Sequence, residues 1–128
     1  MPQIYGGITT PAELRRIADV AEKYEARMVK ITGGQRIDLL GVPKDHLPDV
    51  WRELDMPSGH AYAKEFRICK TCVGSEFCRF GLGDSTALGI DIEQRFQGME
   101  MHHKVKMAVF ECPGTVPKPL SKMSALWR

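Results

Sequence analysis

Four cysteines, Cys69, Cys72, Cys78 and Cys112, are the side chains of this sequence best suited to hold a metal. Cys72 and Cys78 are separated by five residues, Gly74 among them, in a stretch able to bend back so that both sulfurs face one site. Soft thiolates hold iron–sulfur clusters and zinc alike. Cys69-x2-Cys72 has the spacing of a zinc knuckle that Cys112 or a histidine would complete, and idle thiols fit the same spacing. The second group of interest is cationic. Lys104 and Lys106 lie two apart in residues 104–110, where Val105, Met107 and Val109 alternate with Lys104, Lys106 and Ala108. On a strand both ammonium groups share a face, so both can approach one bound anion and stabilise charge as it reacts. A solvated strand face is the plainer reading of the same alternation, and His102 and His103 read as surface residues.

The elements that position these groups follow from local signals. Thr10 is a helix N-cap, Pro11 opens the helix, and Glu13 closes a capping box. Leu14, Ile17, Ala18 and Ala21 then recur at helical spacing opposite Arg15, Arg16, Glu22 and Lys23, to an end near Glu25. Residues 28–32 and 36–42 read as strands joined by the Gly33-Gly34-Gln35 turn. Pro43 ends them, and Leu47, Val50, Trp51 and Leu54 mark one face of a second helix. Residues 63–68 supply a returning strand. With an initial strand over 3–8 the order is β-α-β-β-α-β, the ferredoxin-like split motif. Beyond Cys69 the chain turns glycine-rich and loop-like, with a short helix over 91–96 and a strand over 104–110. Residues 113–128 hold three prolines, no clear period and no partner. The fold class expected is α+β.

Composition narrows the function. A chain of 128 residues buries one modest core, or one small domain and the start of another. No apolar run reaches the ~20 residues that span a bilayer, and the first residues lack the basic and apolar regions of a secretory signal. The address expected is the cytoplasm, where thiols stay reduced and metal ligation outranks disulfides. A net charge of +2, without aromatic residues interleaved in a basic stripe, argues against nucleic acid.

Longer segments carry a resemblance. Val29 to Val42 (Val-Lys-Ile-Thr-Gly-Gly-Gln-Arg-Ile-Asp-Leu-Leu-Gly-Val) is similar to the strand-turn-strand opening of nitrite and sulfite reductase half-domains. Lys70 to Gly81 (Lys-Thr-Cys-Val-Gly-Ser-Glu-Phe-Cys-Arg-Phe-Gly), then Asp84-Ser85-Thr86 and His103 to Val109, follow in that family's order. Together they resemble the large subunit of the assimilatory NAD(P)H-dependent nitrite reductases, through Val109.

The resemblance implies a ferredoxin-like half-domain over residues 1–66 and the opening of a sirohaem and [4Fe–4S] domain over 67–112. It implies an enzyme reducing nitrite to ammonium, fed by NAD(P)H through FAD, with a possible small subunit as partner. In that family the cluster is held by Cys-x5-Cys and a later Cys-x3-Cys. Cys72 and Cys78 match the first pair and Cys112 the start of the second, whereas Val116 stands where the fourth cysteine belongs. Arg67, Lys104 and Lys106 match the family's anion-binding positions, and Arg36 and Arg79 are candidate contacts for cofactor carboxylates. Several relatives carry an arginine where this chain has Gly34. A sulfite reductase shares these cofactors and is the rival enzyme; the Thr-Cys-Val-Gly-Ser loop favours nitrite. A zinc-binding module built on Cys69, Cys72, Cys78 and Cys112 is the non-catalytic rival.

The resemblance fades after Val109 and stops after Pro113. Residues 114–128 can be encoded so that one restored C regroups the bases to read Arg-Asn-Cys-Ala-Glu-Ala-Thr-Gln-Gln-Asp-Val-Gly-Val-Val-Ala, the continuation expected of the family, with a cysteine at position 116. The expectation is a base lost near the Pro113 codon, an aberrant tail over 113–128, and a chain that is a fragment at both ends. Phe110 and Glu111, where the family usually has Ser and Gly, need separate substitutions.

Overall fold

The computed structural model describes residues 1–59 and 62–112, and the backbone of Met123–Leu126. It forms two compact units, Met1–Ile4 with Ile8–Gly59, and Tyr5–Gly7 with the chain from His60 onward.

In the first unit, helix α1 (Pro11–Lys23) starts where its cap dictates: Thr10 accepts the Glu13 N–H, and the Glu13 carboxylate accepts the Thr10 N–H. Such a box contributes about 1 kcal/mol. The hairpin of β1 (Met28–Thr32) and β2 (Arg36–Leu40) is antiparallel, with Thr32 opposite Arg36 and Met28 opposite Leu40. Its turn closes through Gln35 at φ +55°. Helix α2 (Leu47–Leu54) stops at Asp55 in the left-handed region. Ile17 and Val20 of α1, Val50 and Leu54 of α2, Ile37 of β2 and Ile4 make the core, with Tyr24, Leu39 and Trp51 at its margin.

The strand expected over 3–8 is reduced to paired residues. Pro2 bridges Ser58 and Gln3 bridges Arg36, both antiparallel, and then Gly6 (φ +61°) and Gly7 (φ +74°) turn the chain away into the Tyr5–Gly7 turn. The sheet order is therefore Ser58, Pro2–Gln3, β2, β1. The β-α-β-β-α-β sequence of elements is present, with its first and last strands shortened to bridges.

The strand found where a returning strand was expected over 63–68 is β3 (Phe66–Thr71); it belongs to the second unit, and Ser58 supplies the last pairing of the first. There β3, β4 (Val105–Val109) and β5 (Met123–Leu126) lie side by side, all parallel, with β4 central. The tail expected to lack a partner thus supplies a strand: Lys106 pairs with Met123 and Val109 with Leu126.

The single-turn helix α3 (Gly74–Phe77) and helix α4 (Ser85–Phe96) fill the stretch expected to be loop. The expected helix over 91–96 begins six residues earlier because Asp84 caps it, accepting the Ala87 N–H at 2.9 Å. Gly89, which reads as a loop residue in sequence, serves packing: a Cβ there would strike the Thr71 methyl, so the absent side chain lets α4 lie against β3. Phe66, Cys69 and Val109 form the core of this unit, flanked by Leu88, Ile92 and Met107. The Tyr5–Gly7 turn is tied down by Thr71, whose hydroxyl donates to the Gly6 carbonyl at 2.9 Å, and by buried Glu93, which accepts the Gly6 N–H at 3.0 Å.

Candidate functional site

The segment carrying Cys72 and Cys78 leaves the end of β3 and is shaped by main chain. Cys78 N–H donates to Gly74 O, Gly81 N–H to Cys78 O, and Ser75 N–H to Gly83 O, at 2.9–3.0 Å. Gly74 sits at φ +64°, and a Cβ on Gly81 would lie 2.7 Å from the Gly74 and Ser75 backbone. Leu82 N–H donates to Glu111 O at 2.8 Å, which draws the 110–112 segment, and with it half-buried Cys112, along this loop.

Cys72 has the most specific surroundings. Its Sγ lies 2.9 Å from the fully buried Ser85 hydroxyl, and its carbonyl accepts from Ser85 at 3.1 Å and Thr86 at 3.0 Å. Burial pushes the Cys72 thiol pKa up, but the Ser85 hydroxyl and the N–H groups of Gly74 and Glu111 together outweigh it, so the net shift is downward. In the contact between Cys72 Sγ and Ser85 Oγ either atom can be the donor; a deprotonated sulfur could only accept. Ser85 and Thr86 went unrecognised as site residues, although Asp84-Ser85-Thr86 has the composition of a helix start, which would have placed them at the first turn of α4.

Cys69 is different in kind. It is fully buried in the core, where desolvation first and Glu93 second push its thiol up to about 11. A zinc site would need that sulfur. Among the described residues no three His, Cys, Asp or Glu side chains come together as a metal site. The residues present therefore do not fit a complete four-thiolate cluster: Cys72, Cys78 and Cys112 are half-buried, and position 116, a valine, lies outside the described residues.

The cations fall into two sets. Phe66 pairs with Val105 and Ile68 with Lys106, so the ladder is irregular at Arg67, and Arg67 and half-buried Lys106 are neighbours across β3 and β4. Such an irregularity turns a side chain out of the normal alternation. Lys104 precedes β4 by one residue, so the expected shared strand face with Lys106 does not extend to it; it is exposed, with Nζ 5.9 Å from the Tyr62 ring centroid. Arg79 is exposed over the Phe80 ring at 4.5 Å, and His102 and His103 are exposed. In the first unit Arg36 is 8% exposed, and neither its Nε nor its Nη1 meets an acceptor among the described residues. An orphaned buried guanidinium fits a cofactor that carries carboxylates.

Comparison with known proteins decides the family. Residues 2–57 match the model of the nitrite/sulfite reductase ferredoxin-like half domain. The chain belongs to the nitrite/sulfite reductase family. Over 88% of its length this family member is 61% identical to the nitrite reductase [NAD(P)H] of Bacillus subtilis (strain 168), and it spans 14% of that protein. It is 44% identical to the nitrite reductase (NADH) large subunit of Escherichia coli (strain K12), again over 88% of the chain and 14% of the relative. The crystal structure of dissimilatory sulfite reductase I shares the fold at a TM-score of 0.72 and 24% identity, over 88% of this chain and 28% of that one. The chain thus spans about a seventh of the length of its curated nitrite reductase relatives. No helix among the described residues is long and apolar enough to cross a membrane.

Proposed function

We propose that this chain is the half-domain and cluster-loop portion of a cytoplasmic, sirohaem- and [4Fe–4S]-dependent nitrite reductase large subunit, and that the isolated chain is inactive. The parent enzyme takes NAD(P)H electrons through FAD, reduces nitrite to ammonium in nitrate assimilation, and pairs with a small subunit. The observation that carries the reading is the hydrogen-bonded Cys72 sulfur in a Cys-x5-Cys loop, within a chain 61% identical to a nitrite reductase.

When bound, sirohaem would supply the iron at which nitrite is held and reduced. The chain's own contributions are narrower. Cys72, Cys78 and Cys112 are thiolate donors. Arg67, Lys104 and Lys106 hold the anion and stabilise negative charge as oxygen is lost from it, with Lys106 best placed beside Arg67. Arg36 and Arg79 meet cofactor carboxylates, for which a guanidinium is suited by its permanent charge and planar donors.

Inactivity follows from the ligand count. The purified chain should hold no iron or labile sulfide and show no visible absorption after anaerobic reconstitution. Iron near four per chain with matching sulfide, on the unaltered sequence, would overturn the claim that Val116 breaks the site. Stoichiometric zinc would instead support the metal-module rival. The genomic bases encoding residues 114–128, read one frame over, should give the cysteine-containing continuation; any other reading removes the lost-base explanation.

A further inference from the structure

Strand β1 carries the apolar face of the first unit past the helices that cover it. Val29 stands opposite Leu39 and Ile31 opposite Ile37 in the β1–β2 ladder, and residues paired across a ladder share a face of the sheet. Ile37 is buried in the core and Leu39 packs against it, yet Val29 is 50% exposed and Ile31 84%. Among the described residues β1 is laddered with β2 alone. Its outer side therefore offers backbone donors and acceptors to a further strand.

Beside Val29 lies a groove of about 570 Å³, lined by Ala18, Ala21 and Glu22 of α1, by Glu25 and Ala26 after it, and by Val29 itself. The three alanines give it an apolar floor, and the exposed carboxylates stand at its rim. An apolar knob, Ile31, and an apolar groove thus sit two residues apart on one strand. Such a strand is complementary to itself. When two copies of β1 pair antiparallel with Lys30 opposite Lys30, each Ile31 faces the other chain's Val29 and reaches the other chain's groove. A two-fold axis at Val29 would instead set Ile31 against Arg27, and one at Ile31 would set Val29 against Gly33. Neither brings knob to groove.

We propose that the outer edge of β1 docks β1 of a second copy of this chain, in a two-fold dimer where each Ile31 fills the other's groove. The contact is isologous, the same residues serving on both sides. The turn that follows, Gly33–Gly34, brings no side chain against Glu22 and Glu25 at the rim. Two features keep the dimer weak. Lys30 meets its own counterpart at the axis, on the face away from the groove, and like charges directly opposite oppose pairing; Asp38, across from Lys30 in β2, offsets part of that charge. A five-residue strand is also short beside the roughly 20–30 residues a side of a standard interface, so the dissociation constant expected is on the order of 100 µM. The proposal goes beyond the nitrite reductase reading and does not depend on cluster content.

Sedimentation velocity of the full chain from about 5 to about 500 µM tests it, a range that brackets the expected constant. The weight-average mass should rise towards twice that of one chain. Ile31→Lys, at an exposed position, should keep the circular dichroism of the fold and weaken association about tenfold or more. Lys30→Thr, which removes the like charge at the axis, should tighten it several-fold. Phe77→Lys, in the exposed apolar cluster of the second unit, should leave it unchanged. Amine cross-linking of mixed 14N and 15N chains should join Lys30 to Lys30 in a peptide that carries both isotopes. If Ile31→Lys fails to fold, that cross-link on the unaltered chain decides. A chain that stays monomeric throughout, or an association that Phe77→Lys removes and Ile31→Lys spares, overturns the proposal. Either result leaves the iron and sulfide measurement untouched.

Discussion

The chemistry of the four cysteines is set by what each sulfur touches. Cys69 is fully buried with its thiol raised to about 11, from an ordinary value near 9. The sign is fixed by that direction. A group whose folded pKa lies above its unfolded one contributes stability below the unfolded pKa and loses it as pH rises towards the folded value. The chain should therefore lose on the order of 2–3 kcal/mol from Cys69 between pH 9 and 11. Urea denaturation at pH 8 and pH 10.5 checks this, because the Cys69→Ala chain should lack that part of the pH dependence. In native alkylation at pH 8.5, mapped by mass spectrometry, Cys72 should be modified and Cys69 spared; equal modification would contradict its burial. Sequence alone made Cys72, Cys78 and Cys112 the cluster candidates, on spacing and resemblance, and gave Cys69 a place only in the zinc alternative. It did not reveal Ser85, because a serine's value as a partner of the sulfur depends on a contact across 13 residues that no local pattern encodes.

Elements were legible where their signals are local. The capping box of α1, the Gly33-Gly34-Gln35 turn and the apolar stripe of α2 each announce themselves within a few residues. Their positions agree with the fold to within two residues at most termini. Thr10→Ala should remove about 1 kcal/mol, read as a lowered urea midpoint with unchanged slope. The misread elements depend on distant partners. Residues 3–8 have the composition of a strand, but Gly6 and Gly7 turn the chain after two paired residues. Gly89 looks like a breaker but exists for the approach of α4 to β3. Gly89→Ala should accordingly destabilise by about 1–3 kcal/mol through overpacking, despite alanine's better helix propensity. Adding Thr71→Ser removes the obstructing methyl and retains a hydroxyl for the Gly6 carbonyl, so the double variant should recover most of the loss; strictly additive losses would show that the two do not meet.

For the whole molecule, α+β class and family were readable from sequence, since motifs from Val29 to Val109 keep one order. The division into two units was harder to place. β3 has the character of a returning half-domain strand, and only its pairing with β4 assigns it elsewhere. Replacing residues 114–128 by the frame-restored sequence, which supplies a cysteine at position 116, should give a chain that takes up iron and sulfide and becomes brown on reconstitution where the unaltered chain stays colourless. A colourless product from both would show that thiolates beyond this stretch, or the rest of the parent fold, are required.

The contact of Gly81 with the Gly74–Ser75 backbone has a consequence for how a damaged chain fares. Around Cys78 the loop is tied by main-chain bonds, Cys78 N–H to Gly74 O and Gly81 N–H to Cys78 O, that do not use its thiol. Oxidising or capping Cys78 therefore leaves the loop's main chain intact and exposes no new apolar surface. Cellular surveillance that recognises exposed hydrophobic segments would meet the same exposed Phe77, Phe80 and Leu82 before and after the damage, so a chemically spent loop would persist as long as a serviceable one.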